Sequence, residues 1–139
     1  MPGLDRFVTA QSGGVFERAL AELEAGIKRS HWMWFVFPQI AGLGRSETAR
    51  LYAIADRGEA IAYLAHPVLR PRLDSATQAM LGWAQRRSAE AILGPVDAMK
   101  LRSSMTLFDA VAEQRAPFAA ALDAFYGGRR DPATLDLLD

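Results

Sequence analysis

Lys100, Ser103 and Ser104 fall within one run of helical periodicity, and their spacing places an ammonium and two hydroxyls where an apolar surface is expected. From Asp97 to about Gln114, at about 100° per residue, Leu101, Met105, Phe108 and Ala112 centre an apolar arc that Leu107 and Val111 widen. Arg102, Thr106, Asp109 and Glu113 gather opposite, which marks the expected solvent face. Lys100 and Ser104 lie among Leu107 and Val111, with Ser103 at the edge of the arc. Polar groups are costly to bury without partners. Two arrangements meet that requirement. In one, Lys100 runs its ammonium out to water and Ser104 bonds back to the Lys100 carbonyl. In the other, Lys100, Ser103 and Ser104 line a polar cavity that takes an anionic or hydroxyl-rich ligand.

A second group of candidates lies in Ser30-His31-Trp32-Met33-Trp34-Phe35-Val36-Phe37-Pro38-Gln39. Trp32 and Trp34 offer flat faces on which a base or sugar stacks, or they are plain core. His31 and Gln39 keep hydrogen-bonding groups at the margin of this apolar block. The third group is Gly42-Leu43-Gly44-Arg45-Ser46, which opens a helix. Free amides, the helix dipole and the Arg45 charge are ingredients of an anion site, and an ordinary capped turn uses the same residues. His66, before Pro67, either faces the same cavity or ends its own helix. The two histidines are far apart and no cysteine accompanies them, so no metal site is expected. Neither a Gly-x-Ser-x-Gly elbow nor a dinucleotide or P-loop pattern is present, so no cofactor is expected either.

The elements that must position these groups are helical almost throughout. Phe16, Leu20, Leu23 and Ile27 make one stripe. Leu4, Phe7 and Val8 precede it as a short helix that Ser12-Gly13-Gly14 interrupts. Ser46 is a suitable N-cap for a helix through Leu51, Tyr52 and Ile54. Gly58 is expected to separate that helix from a short one carrying Ile61 and Leu64, which ends at His66. Leu73, Thr77, Met80 and Ala84 repeat the stripe, and Asp97 can cap the long helix. Pro117 opens a further helix closed by Gly127-Gly128, and Asp131-Pro132 starts a last one. The run Trp32 to Phe37 has the composition of a strand. No second segment offers it a pairing partner, so a buried helical turn begun by Ser30 is expected instead. The expected fold is an all-α bundle of about seven or eight short to medium helices, with residues 1–139 as a single globular domain.

Composition sets outer limits. The chain has 139 residues, 16 basic against 16 acidic side chains, 50% hydrophobic residues and no cysteine. That length holds a core without disulfides or a structural metal. Zero formal net charge gives no footprint for duplex nucleic acid, so nucleic acid is not an expected partner, and the dibasic pairs Arg86-Arg87 and Arg129-Arg130 read as solvated surface. No apolar run is long enough to span a bilayer, and no leader-like segment opens the sequence. A cytoplasmic protein of bacterial style is expected.

The strings Ser30 to Gln39, Gly42-Leu43-Gly44, Ala62-Tyr63-Leu64-Ala65-His66-Pro67 and Lys100-Leu101-Arg102-Ser103-Ser104-Met105-Thr106-Leu107-Phe108 resemble domain-of-unknown-function family 1810 over nearly the whole chain. The resemblance implies a small, mainly helical protein and supplies no activity. The matching positions are His31, Trp32, Trp34, Gln39, Gly42, Gly44, His66, Lys100, Ser103 and Ser104. A fainter likeness, in the helical plan and the Lys-bearing late helix, is to the helical family that acts on riboside or ADP-ribose N-glycosidic bonds. The first functional expectation is therefore a pocket that binds, and in its stronger form hydrolyses, a small phosphorylated or ribosylated ligand. In it His31, Gln39, His66, Lys100, Ser103 and Ser104 converge, Trp32 or Trp34 stacks, and Gly44 to Ser46 hold phosphate. The alternative is a non-enzymatic module that meets a protein partner through the aromatic segment or Arg70-Pro71-Arg72. A closed polar pocket around Lys100 favours the ligand, and a contiguous exposed apolar patch favours the partner.

Overall fold

A computed structural model of the protein describes residues 3–138. Ten helices form among the described residues: α1 (Asp5–Gln11), α2 (Val15–Ala25), α3 (Met33–Val36), α4 (Glu47–Leu51), α5 (Arg57–Ala65), α6 (Leu69–Leu81), α7 (Ala89–Leu93), α8 (Pro95–Val111), α9 (Phe118–Tyr126) and α10 (Pro132–Leu138). The chain is all-helical, as the periodicity requires, but the helices are more numerous than the seven or eight expected. One reason is α7, whose five residues are too few to show a stripe. Ser88 caps it, accepting from the Ala91 amide at 3.0 Å.

Local chemistry sets the boundaries. α2 stops at Ala25 because Gly26 adopts φ 79°, and Ile27 leaves the stripe. A Cβ at position 26 would also lie 2.8 Å from the Trp83 ring, whose indole N–H donates to the Leu23 carbonyl at 2.9 Å. Ser46 caps α4 as expected, accepting from the Ala49 amide at 3.1 Å. That helix ends at Leu51 instead of reaching Ile54, because Ile54 leaves it to form a parallel bridge with Ile40. Gly58 separates nothing. It lies in the first turn of α5, and the cap is Asp56, which accepts from the Glu59 amide at 2.9 Å. The Trp32 to Phe37 run does contain a helical turn, α3, but Ser30 does not begin it, since the Ser30 hydroxyl donates to Glu22 at 2.6 Å.

α8 is the axis of the molecule, packed against α5, α7, α9 and α10. Gly94 at φ 88° turns the chain into it and Pro95 fills the first position, where no amide hydrogen is needed; Asp97 is not its cap. Leu101, Met105 and Phe108 are fully buried, each adding about 1.5–3 kcal/mol through lost apolar surface. Part of the face expected to be wet is covered as well, while Glu113 lies exposed beyond the end of α8, which stops at Val111 short of Gln114. Thr106 and Asp109 are buried, because Thr106 Oγ1 accepts the Asp131 amide at 2.9 Å and Asp109 takes the guanidinium groups of Arg115 and Arg130. Among the described residues no helix is long and apolar enough to cross a membrane.

Candidate functional site

A cleft of about 400 Å³ opens where the segment from Trp34 to Ala53 meets the starts of α8 and α10. Its walls are Trp34, Ile40, Leu43, Ala49, Tyr52, Val96 and Met99, with Gln39, Lys100, Arg102, Ser103 and Asp131 as the polar groups. Each side chain has an identifiable support. α3 presents Trp34. The bridge fixes the Gln39 backbone, since its carbonyl accepts from the Ile54 amide at 2.8 Å while the Ala41 amide donates to the Ile54 carbonyl at 2.8 Å. The Tyr52 ring is held by Phe7 and Phe35, with centroids at 6.0 and 5.3 Å. Gly44 lies in the wall because a Cβ there would sit 2.5 Å from the Ala49 Cβ.

Several of the polar groups are already engaged. Ser103 Oγ donates to Asp131 Oδ2 at 2.8 Å, and Thr134 Oγ1 donates to the same oxygen at 2.6 Å. Burial opposes ionisation of Asp131, but the Thr134 and Ser103 hydroxyls and the nearby Arg102 charge outweigh it and hold the carboxyl below its usual range. Arg102 spends two nitrogens on backbone carbonyls, Nε on Arg129 at 2.8 Å and Nη2 on Arg130 at 2.6 Å.

Others are free. Among the described residues the Gln39 carboxamide and the Tyr52 hydroxyl make no hydrogen bond. Lys100 Nζ stands 4.5 Å above the Trp34 ring centroid and meets Asp97 Oδ1 at 3.4 Å. Asp97 is bound more closely from its other side, Lys28 Nζ lying 3.0 Å from Oδ2. The wall thus offers one loosely held ammonium, one amide, one phenol and an indole face, a set suited to a flat molecule bearing an anion.

The structure brings Trp34, Gln39, Gly44, Lys100 and Ser103 together, and leaves the other sequence candidates elsewhere. Trp32 is core at 1% exposure, its indole N–H donating to Glu22 at 2.9 Å. His31 is exposed and lines a separate depression of about 280 Å³. His66 ends α5, where Nδ1 accepts from the amides of Val68 and Leu69 at 3.1 and 3.2 Å. Gly42, at φ 106°, lies against Leu137. Arg45 and Ser46 are exposed and do not line the cleft. Ser104 is fully buried with its hydroxyl unpartnered among the described residues, so it neither bonds back to Lys100 nor reaches the cleft.

Sequence reasoning missed Tyr52, Met99, Arg102 and Asp131. Asp131 carried a usable signal, an Asp-Pro helix start, but nothing local tells that this start abuts Ser103. Helical phase puts Arg102 on the solvent face, because the Arg129 and Arg130 carbonyls that hold it are invisible to the phase of one helix.

The lining residues from Trp34 to Gly44 and from Lys100 to Ser103 belong to the strings that carried the family resemblance. The model of the DUF1810 family, described as protein of unknown function, matches residues 2–138. The chain belongs to the DUF1810 family. A solved structure, that of the conserved hypothetical protein Rv1873 from Mycobacterium tuberculosis, is similar to this DUF1810 protein at 49% sequence identity and a TM-score of 0.93, over 97% of this chain and 95% of that one. No curated protein matches at a significant level.

Proposed function

We propose that this DUF1810 protein binds a small phosphorylated or ribosylated molecule in the cleft, with a flat ring against Trp34 and an anionic group on Lys100. The observation that carries this reading is the Lys100 ammonium above the Trp34 ring, in a walled cleft, with Asp97 at 3.4 Å its one ion-pair partner among the described residues. A cation so placed has donors to spare, and the apolar walls strengthen its attraction for an anion by excluding water. Gln39 and Tyr52 supply the hydrogen bonds that orient the ring. Hydrolysis of an N-glycosidic bond would fall to Asp131, the carboxylate in the wall, but its Oδ2 already accepts from Ser103 and Thr134. Binding without turnover is the simpler assignment.

The test is a thermal-shift panel of nucleotides, ADP-ribose, nucleosides and sugar phosphates. A ligand at about a hundred times its dissociation constant adds roughly 2.7 kcal/mol, or roughly 5–10 °C at this size. The stabilisation is expected to vanish in Lys100→Ala. A silent panel, or a shift that Lys100→Ala leaves intact, overturns the reading.

One observation favours a protein partner instead. Val96 and Met99, at the lip of the cleft, are 65% and 72% exposed, unusual for large apolar side chains. If the panel is silent, pull-down with the native protein and with Met99→Lys tests whether this lip carries an interaction.

A further inference from the structure

The charges around the cleft do not cancel in pairs. Arg102 and Asp131, one positive and one negative, both line the wall. Lys28 and Lys100 then share one carboxylate, and the two approaches are unequal: 3.0 Å from Lys28 to Asp97 Oδ2, 3.4 Å from Lys100 to Oδ1. Lys28 is the fixed member. Its amide donates to the Ile92 carbonyl at 2.8 Å, and its ammonium donates to the Ser30 carbonyl at 2.6 Å while lying 5.1 Å from the Trp32 ring centroid. That indole is itself tied to Glu22. The Lys28 side chain is 10% exposed against 24% for Lys100, so Lys28 is spent inside the fold and Lys100 faces the cleft.

We propose that Lys28 and Asp97 are positioning residues for anion capture: Lys28 neutralises Asp97, so that Lys100 meets the anionic head group of a ligand with its charge uncompensated. This rests on the binding reading above and deepens it, because it makes the anion, and not the ring, the part of the ligand that these residues discriminate. Asp97 is then an internal competitor for Lys100, held off by Lys28. Removing Lys28 hands Asp97 to Lys100 and takes the local surplus charge from one to zero. Removing the Asp97 charge does the reverse. Two substitutions outside the lining of the cleft thus act in opposite directions, which a role in packing alone does not produce.

Calorimetric titration with adenosine 5′-monophosphate and with adenosine tests this. For the monophosphate, Lys28→Met is expected to weaken binding roughly five- to tenfold, Lys28→Arg to restore it, and Asp97→Asn to tighten it by a similar factor, all diminishing as salt is raised. For adenosine, which carries no anion, none of the three variants is expected to change the affinity. Weaker monophosphate binding in Asp97→Asn, or unchanged binding in Lys28→Met, overturns the proposal. A second measurement needs no ligand. The chain has only two lysines, so ammonium proton–nitrogen spectra carry two side-chain signals. Lys28 is expected to be protected from exchange and Lys100 broadened; in Lys28→Met the Lys100 signal is expected to sharpen as it takes over Asp97. If it stays broad, the positioning role is refuted. If the wild-type protein binds no member of the ligand panel, the binding reading fails and anion capture falls with it, while the ammonium spectra report separately whether Lys28 holds Asp97 away from Lys100.

Discussion

Glu22 orders the chain ahead of Trp34 without touching the cleft. Its Oε1 accepts from the amides of Arg29 and Ser30 and from the Trp32 indole at 2.7, 3.1 and 2.9 Å, and its Oε2 accepts from the Ser30 hydroxyl at 2.6 Å. Burial opposes the charge, but the Ser30 hydroxyl, the Arg29 amide, the Trp32 indole and the Ser30 amide together lower its pKa from 4.5 to about 2. A carboxyl depressed on folding stabilises the folded state above its unfolded pKa, and the contribution is lost as pH falls from about 4.5 to about 2. After allowance for screening by nearby water this is worth about 1–2 kcal/mol. Glu22→Gln is expected to lose that amount near neutral pH, since an amide nitrogen cannot accept from these donors, and to match the wild type at the acid end of the window. Urea denaturation across that pH range checks it; a stability gap independent of pH would contradict the ionised role.

At the scale of elements, the cleft depends on how closely the loop carrying Gly44 approaches α4. Gly44→Ala sets a methyl 2.5 Å from the Ala49 Cβ, both groups being directly attached to backbone, so the loop or the helix must move. The expected cost is about 1–3 kcal/mol in thermal unfolding, with a loss of ligand-induced stabilisation because Gly44 and Ala49 both line the cleft. An unchanged melting temperature would show that the loop yields freely. The cap of this helix was legible from Ser46, since a hydroxyl before a helix acts locally. Its short length was not. Ile54 is withdrawn by its bridge to Ile40, and a contact across that many residues leaves no mark in the phase of either segment.

At the scale of the whole molecule, Asp109 fastens the end of α8 to the C-terminal part of the chain. Its side chain is 4% exposed, with Oδ1 accepting from Arg115 Nε at 2.8 Å and Oδ2 from Arg115 Nη2 and Arg130 Nη2 at 3.0 and 3.1 Å. Burial works against its ionisation, and the two guanidinium groups overcome this and keep it below the usual carboxylate range. Asp109→Asn retains the shape and removes the charge; about 1–3 kcal/mol of destabilisation is expected. Because Arg130 precedes Asp131, the same variant is expected to weaken binding in the cleft, measured by the ligand-induced thermal shift. A destabilised protein with unaltered binding would show that the two ends of α8 are independent.

Helical class, most helix starts and the family motifs were fixed by properties a short window carries: apolar repeats, caps, and prolines that end or begin a turn. Helical phase also places Lys100 and Ser104 within the apolar arc and Ser103 at its edge, and of these Lys100 and Ser103 line the cleft while Ser104 is core. Phase reports one helix against water, however, and α8 has a neighbour on nearly every side. Only the tertiary structure could turn Thr106 and Asp109 into buried partners, send Trp32 to the core and His66 to a cap, and bring Asp131 across to Ser103. The unequal grip of Lys28 and Lys100 on Asp97, too, is set by how the segment after α2 meets α7 and the start of α8, and no spacing in the chain records it.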